Sequence, residues 1–268
     1  MGPKFVRTDS SMEFFDTHCH LDATQFDDDR EAVIERAVSA GVKKMVCVGG
    51  ADGFHSTEKA IAIAEKYPFI WASAGLHPNV AQAAPDKARL LKLAEHPRVV
   101  AIGETGLDNH WKDVEPAQQE IWFRLHIEVA LETNKPLIVH AREAGADCLR
   151  VLRDTGAKAC GGVFHCYAED AAFAAELREM GFLISFTGSL TFKNATALRI
   201  AAAGVPIEQI MLETDAPYLA PQAWRGKRCE SAQMIETARV LAETKGLSIE
   251  EVARITTETA NRFFKIKE

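Results

Sequence analysis

The stretch "MEFFDTHCH", residues 12–20, decides how the rest of the chain is read. It begins apolar and then sets Asp16, His18 and His20 on alternate positions. Side chains of a strand alternate faces with period two, so these three share one face and Thr17 and Cys19 the other. Polar groups left unsatisfied against a core cost roughly 2–7 kcal/mol each. A metal ion held by the imidazoles removes that cost. Two surface histidines on an edge strand are the plainer alternative, and the choice depends on what the other strands carry at the same place.

Seven more runs have the same build: "KKMVCVG" (43–49), "FIWASAG" (69–75), "RVVAIGE" (98–104), "PLIVHA" (136–141), "GGVFHC" (161–166), "FLISFTG" (182–188) and "QIMLETD" (209–215). Amphipathic stretches at 27–40, 55–67, 116–133, 143–155, 168–180 and 194–203 lie between them, and 231–245 and 249–264 close the chain. Strands alternating with helices of crossover length predict a parallel α/β sheet. The unusual residues then choose between an open sheet and a closed one. His18 and His20, Glu104, His140, His165 and Asp215 all stand at the carboxyl ends of their runs. A (β/α)8 barrel gathers those ends at one mouth, whereas an open sheet spreads them along an edge. The pattern therefore predicts one (β/α)8 TIM-type barrel with a metal site at the carboxyl-terminal mouth of its strands. Four imidazoles and two carboxylates suit borderline divalent metals, and their number exceeds what a single catalytic zinc needs. Two ions sharing a carboxylate are expected.

Composition narrows the class. With 268 residues, 47% of them hydrophobic, the chain is long enough for one such barrel. No internal linker or repeat divides it, so residues 12–268 are expected to form one domain. Residues 1–11, "MGPKFVRTDSS", read as a flexible leader or expression remnant. No apolar run approaches the roughly 20 residues of a membrane span. Six scattered cysteines, with no C-x-x-C pair, suggest buried thiols and a cytoplasmic location. The net charge of −7 argues against a protein that coats duplex nucleic acid, but not against an enzyme with a local phosphate pocket. No obligate protein partner is indicated.

Seven stretches, "DTHCHLD", "GLHPN", "AIGETGLD", "IVHAR", "FHC", "ISFTGSLTFKN" and "LETDAPYLAP", occur in an order and spacing that resembles the TatD-type metal-dependent deoxyribonucleases, among the amidohydrolase-like metalloenzymes. The resemblance runs from Met12 through nearly the whole chain. It implies that His18, His20, Glu104, His140, His165 and Asp215 are metal ligands and that Glu104 bridges two ions. It implies as substrate a phosphodiester of DNA, with single-stranded ends favoured at a barrel mouth, and turnover supported by magnesium or manganese. The imidazole-rich set itself favours bound zinc, manganese, iron or nickel. Two departures stand in loops: Cys229-Glu230-Ser231 where the family has Asn-Glu-Pro, and Cys166-Tyr167-Ala168-Glu169 in place of a Cys-Phe-Ser-Gly run. Both are expected to bear on substrate preference.

Other roles follow from position. Attack on phosphorus by a water activated on the metals would use Asp215 both as ligand and as proton acceptor. His77, in "GLHPN", either contacts phosphate or protonates the leaving alkoxide, or else is a proline-locked turn residue. Arg142 shares a face with His140 and either meets phosphate or pairs with a carboxylate. Glu213 and Asp16, two residues before ligands, are expected to support histidines. Lys193 and the "RGKR" cluster, with Arg225, Lys227 and Arg228, are candidates for the nucleic-acid backbone. Trp111 and Trp224 either stack bases or cover the rim, and His126 reads as an ordinary mid-helix residue. The same ligand set also serves an ester, lactone or amide hydrolase, or an aminoacyl-tRNA deacylase, and these are the alternatives to the exonuclease.

Overall fold

The computed structural model describes residues 12–267, and the expected leader, residues 1–11, lies outside them. Eight strands alternate with helices: β1 (Phe14–Cys19), α1 (Arg30–Ser39), β2 (Val42–Val48), α2 (Gly53–Lys66), β3 (Ile70–Ala74), α3 (Lys87–Ala94), β4 (Val99–Asp108) and α4 (Pro116–Thr133). The chain continues through β5 (Leu137–Arg142), α5 (Gly145–Asp154), β6 (Gly162–Phe164), α6 (Ala171–Glu179), β7 (Phe182–Phe186), α7 (Thr196–Gly204), β8 (Ile210–Leu212), α8 (Met234–Lys245) and α9 (Ile249–Phe263). The strands form one sheet in chain order, β1 to β8. A parallel bridge from Cys19 to Ala216 returns the last strand to the first. This is the expected (β/α)8 topology.

The residues gather into two compact units, each discontinuous in sequence. One takes in the described residues up to Val46, Cys166–Ala175, and the described residues from Ile184 onward. Here β7 pairs with β8 in parallel, Ile184 opposite Ile210 and Phe186 opposite Leu212. The chain beyond β8 runs along β1: Asp215 N–H donates to His18 O at 2.8 Å and His20 N–H to Ala216 O at 2.7 Å. Fully buried Phe14, Phe26, Met45 and Phe186 fill this unit, each worth about 1.5–3 kcal/mol of burial. Helix α9 lies against β1 and β8. It starts at a capping box in which Ser248 Oγ accepts from Glu251 N–H and Glu251 accepts from Ser248 N–H.

The other unit comprises Cys47–His165 and Glu176–Leu183, with β3 through β6 paired in parallel order. Strand β4 is longer than its apolar run. It continues past Glu104 to Asp108 and stays paired with β5 as far as Asp108 opposite Arg142. Gly106 makes this possible. Its φ is +139°, and a Cβ there would collide with the His140 carbonyl. Helix α4 begins with Pro116 at its first position and ends at Asn134, whose φ of 52° is left-handed. One helix, α3, was not among the expected segments. Asp86 caps it by accepting from Arg89 N–H at 3.0 Å.

Candidate functional site

In the first unit, β1 delivers His18 and, one residue past its end, His20, both buried. Strand β8 stops at Leu212, so Asp215 stands on the loop beyond it with a left-handed φ of 57°. Strained backbone at a non-glycine residue costs on the order of 1–3 kcal/mol and persists only where neighbours enforce it. The two bonds to β1 do so. His18 Nε2 and His20 Nε2 lie 3.2 Å apart, and Asp215 Oδ1 is 3.6 and 3.2 Å from them. Three lone-pair atoms thus face one another in a space that suits a cation.

Glu213 and Asp16 lie behind this cluster. Glu213 Oε2 is 3.6 Å from His18 Nδ1, and its Oε1 accepts the Cys166 N–H at 2.5 Å. Asp16 meets His18 through the backbone instead of the ring. It accepts from His18 N–H, Thr214 N–H and Thr214 Oγ1–H at 3.3, 3.0 and 2.6 Å, and so straps β1 to the chain after β8. Burial pushes the Asp16 carboxyl up to about 7, against the opposing pull of those hydrogen bonds.

In the second unit, Glu104 Oε1 sits 2.8 Å from His140 Nδ1, 2.7 Å from His165 Nε2 and 3.5 Å from His77 Nε2. His140 Nδ1 is 3.3 Å from both His77 Nε2 and His165 Nε2. The other nitrogen of His140 points at Asp108, with Nε2 and Oδ2 3.0 Å apart. A carboxylate can only accept, so Asp108 takes the Nε2–H and leaves the Nδ1 lone pair of a neutral ring facing Glu104. Two lone pairs 2.8 Å apart need a cation or a proton between them. Burial alone would lower the His140 pKa, yet its bonds to Asp108 and Glu104 raise it, as expected where positive charge is wanted. For Asp108, burial works upward, but His140, the Trp111 N–H and Asn79 hold the carboxyl well below the usual range. The donor set fits a divalent metal.

Asp108 was missed in the sequence because the strand was expected to end at Glu104. Counting on by twos through Gly106 would have reached it. Its Oδ1 also accepts the N–H groups of His110 and Trp111, both at 2.9 Å, which fixes the loop after β4. His77 accepts from Asn79 N–H at 3.1 Å and caps the turn Pro78–Val80, while its Nε2 reaches the cluster. It caps a turn, and the same ring lies against the Glu104–His140 pair.

The expected cationic residues divide. Arg142 is exposed, with its guanidinium 5.6 Å from the centroid of the half-exposed Trp111 ring. Arg225 lies over Phe192 at 4.0 Å and Lys227 over Trp224 at 5.5 Å. Lys193 donates its backbone N–H to Gln222 and keeps its side chain exposed. Arg228 differs: it donates to both Asp29 oxygens at 2.8 Å and to Glu230 at 3.1 Å, and stacks on Phe26. Glu230 in turn pairs with Arg36 at 2.7 Å. Arg228 therefore braces the loop. The departure at Cys229-Glu230-Ser231 belongs to the same framework, because Cys229 and Ser231 are fully buried and Glu230 completes the charge network.

A family model described as TatD related DNase matches residues 15–265. The chain belongs to the TatD-related DNase family. Among relatives in that family, the metal-dependent hydrolase YabD of Bacillus subtilis is 42% identical over 255 residues, covering 94% of this chain and 99% of its own. The 3'-5' ssDNA/RNA exonuclease TatD of Musicola paradisiaca is 33% identical, with 94% and 98% covered. The crystal structure of YJJV, a TatD homolog from Escherichia coli K12, superposes with a TM-score of 0.88 at 28% identity, covering 95% of this chain and 98% of that one. This TatD-family chain is thus a metal-dependent hydrolase on a (β/α)8 barrel. No helix among its described residues is long and apolar enough to cross a membrane.

Proposed function

We propose that this TatD-family hydrolase is an exonuclease that removes nucleotides from the ends of single-stranded DNA, using two divalent ions. The observation that carries the reading is the convergence of lone-pair atoms in both clusters, His18–His20–Asp215 and Glu104–His140–His165. His18, His20 and Asp215 would hold one ion and Glu104, His140 and His165 the other. The imidazoles favour zinc, manganese, iron or nickel as the resident ion, with magnesium or manganese able to support turnover. Bound there, such ions supply Lewis acidity, which lowers the pKa of water and offsets charge growing on phosphate oxygens.

The chain's own groups have the following parts. Asp215, held by its backbone against His18, presents an oxygen that accepts the proton of the attacking water. Asp108 fixes the His140 ring in the tautomer whose Nδ1 faces Glu104, and Glu213 orients His18. His77 is placed to hold or deliver a proton at Nε2. Trp111 with Arg142, Trp224 with Lys227 and Phe192 with Arg225 pair an aromatic face with a cation, which suits stacked bases and their phosphates. Lys193 joins the phosphate contacts, and Arg228 serves the framework. The name of the Musicola relative, an exonuclease on single-stranded DNA and RNA, supports the substrate class. The buried thiols Cys19, Cys47, Cys148 and Cys229 agree with a cytoplasmic setting.

The test is incubation of end-labelled single-stranded DNA with metal-reconstituted protein beside Glu104→Ala. Stepwise shortening by the parent and none by the variant supports the reading. An inert parent that hydrolyses carboxylic esters, lactones or an aminoacyl-tRNA instead overturns it.

A further inference from the structure

Helix α4 has polar side chains on the face it buries. Gln119, Trp122 and His126 are spaced three and four apart, so they share one side of the helix, and all three are at most 2% exposed. Between them they hold the end of β4 with its following loop, and the connection between β3 and α3. Gln119 Oε1 accepts the Asp108 N–H at 2.8 Å, and its Nε2 donates to Asp108 O and Val114 O at 3.2 and 2.9 Å. Trp122 Nε1 donates to Ala83 O at 2.9 Å. His126 Nε2 accepts the Leu76 N–H at 2.9 Å, while Nδ1 lies 2.7 Å from Trp122 O. A carbonyl only accepts, so Nδ1 carries the proton and Nε2 is the acceptor: one neutral tautomer satisfies both ends.

The two segments held at Asp108 and Leu76 converge on one ring. Leu76 directly precedes His77, whose Nε2 is 3.3 Å from His140 Nδ1, and Asp108 Oδ2 is 3.0 Å from His140 Nε2. One nitrogen of His140 therefore faces a residue set by His126, and the other a residue set by Gln119. We infer that Gln119 and His126 are positioning residues: α4 is a rail that fixes, through Asp108 and His77, the orientation of His140. The inference rests on the assignment of His140 to the catalytic site. It goes beyond it by placing part of the site's precision on a helix that touches no substrate. A misplacement of about 1 Å costs on the order of a hundredfold in rate, and loss of an outer partner of a metal ligand costs roughly 10–100-fold in affinity or activity.

The experiment compares the parent with His126→Leu, His126→Gln, Gln119→Leu and the double Leu variant. Four quantities are read: amide exchange at Leu76 and Asp108, metal affinity by chelator competition, and kcat and KM on single-stranded DNA. His126→Leu should speed exchange at Leu76 and lower kcat about tenfold or more with KM within about twofold. His126→Gln, which restores an acceptor, should recover most of both. Gln119→Leu should do the same at Asp108, and the double variant should lose less than the product of the single losses, because both act on one ring. Nitrogen NMR of the parent, which needs no variant to fold, should show His126 protonated at Nδ1 and bare at Nε2. The opposite tautomer, unchanged exchange at Leu76, or fast exchange with kcat and metal affinity both at parental values would overturn the inference. A parent inert on DNA sinks the nuclease reading alone; the metal affinities of the Leu variants then decide, a loss of about tenfold supporting the rail and parental affinity refuting it.

Discussion

Replacing Asp108 by asparagine separates two functions of one side chain. The amide oxygen can still accept from His110 and Trp111, where Asp108 Oδ1 now lies at 2.9 Å from each. The amide NH2 must then take the place of Oδ2, 3.0 Å from His140 Nε2. Two donors would meet there, and the ring escapes by moving its proton to Nδ1, the nitrogen that faces Glu104. A hydrogen bond to a charged group contributes about 1.5–3 kcal/mol, which converts to roughly 10–150-fold in an equilibrium constant. Metal affinity at the Glu104 cluster should fall by that factor, while Tm of the metal-free protein changes little. Chelator competition with zinc or manganese measures the first, and scanning calorimetry the second. Metal binding by Asp108→Asn within twofold of the parent would refute the tautomer argument. So would an equal loss in Asp108→Asn and Asp108→Ala accompanied by a shared drop in Tm, since that would reduce Asp108 to a loop cap.

Three other outcomes are expected. Burial lowers the His126 pKa to about 4, so the unfolded chain binds the proton more readily. The stability this ring contributes is present above about pH 6.5 and is lost as pH falls toward 4; between pH 7 and 5 the parent should lose about 2 kcal/mol more than His126→Gln in urea titrations. Gly106→Ala forces a Cβ into the His140 carbonyl at a positive φ, and a loss of at least about 1–3 kcal/mol should appear as a lower Tm together with weakened metal binding; a parental Tm would show that β4 and β5 can part there. Arg142→Ala should raise KM for single-stranded DNA and flatten its salt dependence by about one phosphate contact, whereas Arg228→Ala should leave the salt slope alone and lower stability by about 1 kcal/mol or less. The reverse pattern would exchange their roles.

The barrel and the candidate ligands were legible because both are written in short-range pattern. Apolar runs ending in His, Glu or Asp mark strand mouths wherever the chain alternates β and α, and the six ligand candidates stand on those ends. Boundaries were harder. The apolar run stops at Glu104, but Gly103 and Gly106 let β4 pass close to β5 and carry it four residues further, to Asp108. Strand β8 reads as reaching Asp215, yet it ends at Leu212 because the following residues turn to bond β1. Helix α3 did carry a local signal, Asp86 before "KARLLKLA", in a stretch short enough to pass for a loop. Partnerships were least visible. Nothing near Arg228 in sequence announces Asp29, and a glutamine or histidine inside an amphipathic helix looks like solvent-facing decoration until the backbone it holds is known. Such partners are fixed by tertiary contact, which no window of neighbouring residues contains.

The strap from Asp16 to Thr214 joins positions 198 residues apart. A ribosome adding about 5–20 residues per second needs roughly 10–40 s to cross that interval. The first two imidazoles of the site therefore emerge long before the aspartate that completes their set, and a nascent chain released early carries them without it. The cluster suited to a cation is thus complete only near the end of synthesis, and prematurely terminated products lack it however well the rest of them folds.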